Sequence, residues 1–301
     1  MKVFAFFVLF WFEQLHAQLL PYIVKPNSLK EDTFMKIKIL DTKEVHFKKK
    51  NHVPFNELSG LAYKGKKLFA VGDKGVLYTM QLQIKANKIT KVKLLDAQRL
   101  KDTEGKRLKK KYRDSEGLAF VKGQLAISFE GKHRVDLYTL DAVKLKSVMI
   151  HKDLKNKKAY QGKNKGLESV AYNEKYGFVT APERPLKNEP MHTIYAQHKT
   201  WKFQAKGAIT GLEFRSKNKL LVLLRDFNYF TRERIITLVE LDLRKSSQNI
   251  KQIAQFDSSQ GWKIDNFEGI TKIKKNRFLM VSDDNDSVFQ KTLFVLFEIM
   301  D

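Results

Sequence analysis

The chain has 301 residues, of which 43% are hydrophobic and 30% charged, and it contains no cysteine. This composition excludes a disordered chain, and the lack of cysteine excludes disulfides, thiolate metal sites and cysteine nucleophiles. The formal net charge of +24 comes mainly from lysine, with 46 Lys against 11 Arg. Dispersed lysine is typical of a solvated surface, or of attraction to anionic ligands or an anionic membrane surface. We therefore expect no nucleic-acid partner.

The first 17 residues predict a secretory signal peptide. A lysine precedes ten apolar residues, 3–12, and the small residue Ala17 follows a polar stretch. Ten apolar residues are too few to span a bilayer but suit the centre of a signal sequence. We expect export to the periplasm or the medium, a mature chain that starts near Gln18, and no transmembrane span in it. The alternative is a retained interfacial anchor, because Leu15 is a poor residue three positions before the cut.

Five later segments share one pattern, an apolar strand, a short polar turn and a second apolar strand, which is typical of a β-hairpin. They begin at Glu57, Asp114, Gly166, Ile209 and Asn266. Two further strand-like runs follow each of the first four hairpins, whereas only "TLFVLFEIM" follows the fifth. The corresponding positions in the first strands are Gly60, Gly117, Ser169, Gly211 and Gly269.

An unassigned strand-like run, residues 33–41, precedes the first hairpin and matches the strand that the last repeat lacks. The pattern predicts an all-β fold, a single β-propeller domain over 33–301 with five blades of four strands. The N-terminal strand would complete the last blade and leave no long free edge. Six blades are the alternative. We expect residues 18–32 to be a linker and the protein to be a monomer.

Acidic residues recur at both ends of these hairpins. The residues before the five reference positions, at the start of each first strand, are Ser59, Glu116, Glu168, Thr210 and Glu268. The acids that close the second strands are Asp73, Glu130, Glu183, Asp226, and Asp283 with Asp284. In an antiparallel hairpin, the start of the first strand and the end of the second strand lie at the same end. We therefore expect the two residues of each hairpin to face each other at a Cβ separation of ~5 Å. Since the first strand of a blade lines the channel, the carboxylates should converge on one channel mouth.

Converging carboxylates repel one another unless a cation lies among them. Calcium takes six to eight oxygen ligands and suits a site without cysteine or histidine ligands. We therefore expect a calcium site built from the acids Glu116, Glu130, Glu168, Glu183, Asp226, Glu268, Asp283 and Asp284. The alternative is neutralisation by the neighbouring arginines Arg134, Arg184 and Arg225.

Five landmarks in this order resemble the phytase-like family, also described as esterase-like activity of phytase. They are "LSGLAY…LFAVGDKG", "DSEGLA", "NKGLESVAY…APE", "LLRDFN" and "NFEGI…LMVSDDND…Q", and the resemblance runs from about Leu58 to Glu298. It implies a secreted or periplasmic propeller with phosphoesterase-like or esterase-like chemistry. The family's motif acids correspond to Glu116, Glu168, Glu183, Asp226, Glu268, Asp283 and Asp284, with Arg225 beside them. The first repeat departs from this pattern, since Ser59 stands where three others have glutamate.

The leading hypothesis is a metal-dependent phosphoesterase that acts on a small anionic or ester substrate at the channel mouth. Glu116 and Glu268 are the candidate catalytic residues, while Arg184 and Arg225 would bind substrate oxygens. The chain has no G-x-S-x-G, H-E-x-x-H or Walker-type motif. The alternative is a non-catalytic propeller that binds a secreted or cell-envelope partner through the same mouth, because a propeller fold alone does not fix a function.

Overall fold

The computed structural model describes residues 16–47, 49–162, 165–245, 247–248, 250–287 and 289–300. Residues 1–15, which make up most of the predicted signal peptide, lie outside the described residues, so this assignment stays a prediction. At the start of the described chain, His16 bridges to Lys93, and the backbone N–H of Ala17 donates to the carbonyl of Val92 at 3.0 Å. No helix among the described residues is long and apolar enough to cross a membrane.

Three strands precede the first repeat. They are β1 (Gln18–Pro21), β2 (Thr33–Phe34) and β3 (Ile37–His46). The first and second both pair with β3, so part of the segment predicted as a linker is a short strand.

The repeats form five sheets of antiparallel strands. Blade 1 contains β4 (Leu58–Lys64), β5 (Lys67–Gly72), β6 (Val76–Lys85) and β7 (Lys88–Arg99). Blade 2 contains β8 (Ser115–Val121), β9 (Gln124–Phe129), β10 (Arg134–Tyr138) and β11 (Lys144–Ser147). Blade 3 contains β12 (Leu167–Asn173), β13 (Gly177–Pro182), β14 (His192–Tyr195) and β15 (Thr200–Phe203).

Blade 4 contains β16 (Ala208–Phe214), β17 (Lys219–Phe227), β18 (Arg234–Asp242) and, after the short β19 (Ser247–Gln248), β20 (Lys251–Asp257). Strand β19 pairs in parallel with the outer strand β15 of blade 3. Blade 5 contains β21 (Asn266–Lys274), β22 (Arg277–Asp283) and β23 (Leu293–Ile299), and β3 is its fourth strand. The prediction of a five-bladed propeller closed by its N-terminal strand is therefore confirmed.

Both faces of a blade are buried, because each blade packs between two others. In β17, residues Leu220–Leu224 are at most 1% exposed. Alternate side chains of this run enter two different hydrophobic clusters, one shared with blade 3 and one shared with blade 5. A strand buried on both faces reads as a continuous apolar run, which explains the sequence "KLLVLL". Five such clusters lie at the five junctions between neighbouring blades of the described chain.

The first strands of the blades, β4, β8, β12, β16 and β21, contact one another in a ring around the axis. This close approach explains the repeated glycine. A Cβ atom on Gly60 would lie 2.6 Å from the backbone nitrogen of Leu118 in the next blade, and one on Gly117 would lie 2.6 Å from the Cα atom of Ser169. We call the end of the ring where these first strands begin the carboxylate end, and the opposite end the hairpin end.

Candidate functional site

Each first strand contains a β-bulge at the residue before its glycine or serine. The register shifts between the partners on either side of Ser59, Glu116, Glu168, Thr210 and Glu268. A bulge leaves one residue without a partner in the ladder and redirects its side chain. The bulge changes the expected pairing, since the backbone N–H of Glu130 donates to Asp114 and that of Glu183 to Gly166, both at 3.0 Å.

The carboxylates nevertheless converge at the carboxylate end. Three groups each bring carboxylate oxygens within 4.8 Å of one another: Asp73 with Glu116 and Glu268, Asp114 with Glu116 and Glu130, and Glu130 with Glu168 and Glu183. Glu116 and Glu130 each belong to two groups. The seven residues therefore form one continuous set, which we call the carboxylate cluster.

Burial and mutual repulsion hold several of these groups in their protonated form to unusually high pH. Burial, followed by repulsion from Glu268, raises the pKa of Asp73 to about 8. Burial raises the pKa of Glu130 to about 7. Burial and neighbouring carboxylates also raise the pKa values of Glu116 and Glu168 well above the ordinary range. Without a cation, the cluster cannot ionise fully near neutral pH without a large cost in free energy.

Among the residues that the structure describes, two cations compensate part of this charge. The guanidinium of Arg225 pairs with Glu268 and lies 3.8 Å from Glu183, and it also donates to Asn266. The ammonium of Lys165 lies 2.5 Å from Glu183. The expected neutralisation by arginine thus applies to Arg225.

The other two predicted arginines have different surroundings. Arg134 pairs with Asp136 at 2.6 Å, stacks on the ring of Phe129, and contacts no carboxylate of the cluster. Arg184 has no carboxylate within ion-pair distance among the described residues. Its charge therefore remains available to an anion.

The remaining predicted ligands lie beside or outside the cluster. Asp283 is 1% exposed, and burial followed by repulsion from Glu268 raises its pKa to about 9. Asn266 donates to both Glu268 and Asp283 and so links this residue to the cluster. Asp284 instead accepts from the backbone N–H of Glu57 at 3.0 Å and from the Thr292 hydroxyl at 2.9 Å, which fixes neighbouring loops.

Asp226 belongs to none of the three groups of the described chain. Its Oδ1 accepts from the backbone N–H of Phe227 at 3.1 Å. Adjacent residues of a strand point to opposite faces, so Asp226 and Arg225 cannot both point into the cluster.

Three contributors were missing from the predicted ligand set: Asp73, Asp114 and Asn266. Asp114 and Asn266 each lie two residues before the bulge glutamate of their strand, on the same face of it. This repeated D-x-E and N-x-E spacing is a sequence signal that identifies both. Asp73 closes the second strand of the first hairpin and accepts from the hydroxyl of Ser59, the bulge residue of that blade.

A cavity of about 270 Å³ opens beside the cluster. Its lining combines four cationic side chains with two aromatic rings and polar groups: Lys165, Glu183, Arg184, Arg225, Phe227, Tyr229, Arg234, Asn266, Asn285 and Gln290. The rings of Phe227 and Tyr229 meet edge to face at 4.9 Å, and the Arg234 guanidinium lies over Phe227. An excess of cations with aromatic side chains suits an anionic ligand that carries an apolar part.

The donor set fits a hard divalent cation such as calcium. Every candidate ligand offers oxygen, and the buried carboxylates outnumber the cations that pair with them. Oxygen donors of this kind are the ligands that Ca²⁺ prefers.

The comparison with solved structures found distant similarities. Glutaminyl cyclase from Myxococcus xanthus is 13% identical, with a TM-score of 0.46, over 82% of this chain and 92% of that one. The β-propeller domain of Cps50 (Swd1) from Myceliophteria thermophila is 10% identical, with a TM-score of 0.44, over 95% of this chain and 100% of that one. Similarities at these levels say nothing about activity. The search of curated proteins found no match.

The family described as "Phytase-like: Esterase-like activity of phytase" matches residues 53–286. This match spans all five first strands and every residue that lines the cavity except Gln290. It supports a hydrolase-type propeller. The chain therefore belongs to the phytase-like family.

Proposed function

We propose that this protein is an exported, calcium-dependent phosphoesterase that acts at the carboxylate end of the propeller. The observation that carries the proposal is the contact between two opposite features. A cluster of buried and half-buried carboxylates, suited to a cation, adjoins a cavity lined by cationic side chains, suited to an anion. A phosphate ester that binds a divalent cation satisfies both features at once.

Glu116, Glu168 and Glu268 would hold the metal, with Asp73 and Asp114 beside them. When bound, Ca²⁺ polarises a phosphoryl oxygen and lowers the pKa of a bound water. Glu116 and Glu268 are the variants of choice for a test, because Glu116 belongs to two groups and Glu268 pairs with the half-buried guanidinium of Arg225.

The cationic side chains would bind and orient the substrate. The guanidinium of Arg184 has no carboxylate partner among the described residues, and Arg225 links the cavity to the cluster. The two can therefore hold different oxygens of one phosphoryl group. Phe227 and Tyr229 offer an apolar wall to the alcohol part of the ester. The cavity volume of about 270 Å³ favours a small substrate, because sites for drug-sized ligands usually hold more.

The carboxylates themselves can hold or move the proton that hydrolysis requires. A general acid or base works best when its pKa lies near the operating pH. The pKa of Glu130, raised to about 7 by burial, meets this condition. Glu130 also accepts from the backbone N–H of Gly166 at 3.2 Å, which fixes the position of its side chain.

The test is turnover of a panel of phosphate monoesters, phosphate diesters and carboxylic esters by purified protein, with calcium and with a chelator. We expect calcium-dependent phosphate release that Glu116→Gln and Glu268→Gln abolish while the protein stays folded. Glu213→Gln is the matched control, since Glu213 is a half-buried carboxylate at the hairpin end whose oxygens accept from backbone N–H groups. Absence of turnover on every ester, with calcium bound, would refute the enzyme and favour the binding module.

Export rests on the sequence of the first 17 residues, which have the charge, apolar run and small residue of a signal peptide. Expression with the native N-terminus and sequencing of the exported protein tests this part of the proposal separately. We expect a start near Gln18. A chain that begins at Met1 would contradict cleavage.

A further inference from the structure

Three aromatic side chains are almost fully exposed at the rim of the cation-lined cavity. Tyr229 is 79% exposed, Phe230 98% and Phe289 91%. They are the aromatic members of the exposed large apolar residues in the described part of the chain. Tyr229 and Phe230 belong to the loop between β17 and β18, and Phe289 to the loop between β22 and β23. Both loops contribute residues to the cavity, so the three aromatic rings are presented at one end of the molecule.

The first loop is built to hold its aromatic residues outward. The side chain of Asn228 accepts from the backbone N–H of Phe230 at 3.0 Å, and its backbone carbonyl accepts from that of Arg232 at 2.8 Å. The hydroxyl of Thr231 donates to Glu233 at 2.6 Å, and the backbone carbonyl of Glu233 closes the loop by accepting from Asn228. These hydrogen bonds fix the conformation of the loop, so the exposed position of Phe230 is part of the folded structure.

The carboxylate end also carries long basic loops. Residues 100–114, between blades 1 and 2, contain seven Lys or Arg and three Asp or Glu. Residues 148–162, between blades 2 and 3, contain four Lys and one Asp. The side chains of Lys109, Lys110 and Lys111 are exposed, and no carboxylate lies within ion-pair distance of them among the described residues. Both loops join the last strand of one blade to the first strand of the next, and so lie at the carboxylate end.

We propose that the carboxylate end docks on the surface of an anionic lipid bilayer. Exposed aromatic side chains partition into the headgroup region of a membrane, and lysines next to them are attracted by anionic headgroups. A nucleic-acid duplex would use the lysines, but its bases are already paired and stacked and would leave the two exposed phenylalanines without a partner. The docked orientation turns the cation-lined cavity toward the lipid surface. This surface is independent of the proposed hydrolase function, because adsorption needs no turnover.

The experiment is co-sedimentation of the full chain with vesicles of phosphatidylcholine alone, or of phosphatidylcholine with phosphatidylglycerol, at low and at physiological salt. All variants carry the same N-terminal segment, so differences between them report on the folded domain. We expect binding to the anionic vesicles that weakens as salt rises, and much weaker binding to the neutral ones.

Two variants separate the parts of the surface. Phe230→Ser with Phe289→Ser should reduce binding at least about tenfold, whereas Met35→Ser, which removes an exposed apolar side chain at the hairpin end, should leave it unchanged. Reversal of Lys109, Lys110 and Lys111 to glutamate should weaken binding on the order of 100-fold. The same reversal at the hairpin-end lysines Lys66, Lys85 and Lys274 is the control of equal net charge.

Three results would overturn the proposal. They are no binding to anionic vesicles at low salt, equal losses of vesicle binding in the two charge-reversal variants, or unchanged vesicle binding in the double phenylalanine variant. The proposal would also be refuted if a DNA duplex bound as tightly as the anionic vesicles and the double phenylalanine variant bound it equally well. That result would show that this face binds polyanions in general. Loss of vesicle binding with full ester turnover in solution would separate this surface from the site.

Discussion

Replacement of Glu116 by glutamine should stabilise the metal-free protein while it abolishes the response to calcium. Glu116 has carboxylate neighbours in two groups, and burial followed by repulsion from Glu168 raises its pKa well above the ordinary value. Glutamine has the same shape, carries no charge, and can donate from its amide to a neighbouring carboxylate. The substitution therefore removes repulsion without opening a cavity.

The magnitude follows from the spacing of the carboxylates. Two ionised oxygens that lie within 4.8 Å of each other repel by at least about 3 kcal/mol at an effective dielectric constant of ~20. Partial protonation lowers this value, so we expect a gain of about 1 to 3 kcal/mol in the free energy of unfolding at pH 8. The melting temperature should rise by at least about 3 °C. In the wild-type protein, calcium at 100 times its Kd should stabilise by about 2.7 kcal/mol.

Thermal unfolding at pH 8, in a chelator and in excess calcium, measures both effects. Wild type should melt higher with calcium, whereas Glu116→Gln should melt higher than wild type in chelator and gain little from calcium. Glu213→Gln is the control, and its calcium response should equal that of wild type because Glu213 lies at the hairpin end. A Glu116→Gln protein that melts below wild type in chelator, or that keeps the full calcium response, would refute the reasoning about this cluster.

Three further predictions concern the same site. Without metal, the free energy of unfolding should fall as the pH rises from about 5 to 8, because Asp73, with a pKa of about 8, stays protonated in the folded state after the unfolded chain has lost its proton. Urea unfolding in chelator measures this slope, which Asp73→Asn should reduce; stability that rises with pH would contradict the assignment. Arg225→Ala should cost about 3 kcal/mol in the same assay, since it leaves Glu268 and Glu183 without their half-buried partner; a loss below about 1 kcal/mol would show that the carboxylates are protonated instead. Arg184→Ala should raise KM for a phosphate ester and leave the melting temperature unchanged, because Arg184 has no carboxylate partner among the described residues; an unchanged KM would exclude it from substrate binding.

The propeller could be predicted because the pattern of apolar strands and polar turns repeats along the sequence. Each blade needs a strand that packs against its neighbours, so "GLAF"-like and "LLVLL"-like apolar runs recur five times. The closure of the ring could be predicted from the number of strand-like runs. The fifth repeat has one fewer than the others, and residues 33–41 provide the missing strand. The strand in the structure, β3, runs from Ile37 to His46, because β2 forms a hairpin with its start.

The details of the site could not be predicted, because they depend on a single extra residue in each first strand. A bulge does not disturb the apolar pattern, yet it shifts the pairing so that Glu130 faces the backbone of Asp114. The same sensitivity applies to the end of β17. There, Arg225 enters the cluster and its neighbour Asp226 does not, since side chains alternate along a strand. The acids at the ends of the second strands look equivalent in the sequence, but this similarity does not show toward which face of the strand each side chain points.

The bulge itself does not require a carboxylate, and the comparison between blades makes this clear. Blades 1 and 4 have the same bulge as the others, but Ser59 and Thr210 occupy it, and the hydroxyl of Thr210 donates to the carbonyl of Phe267 at 3.1 Å. A small hydroxyl residue thus satisfies the backbone geometry without any buried charge. Glutamate at the other three bulges raises the free energy of the metal-free fold, so the propeller gains nothing structural from it. Proteins retain destabilising groups of this kind where they bind a ligand. Three converging glutamates would bind a divalent cation, which would offset their repulsion.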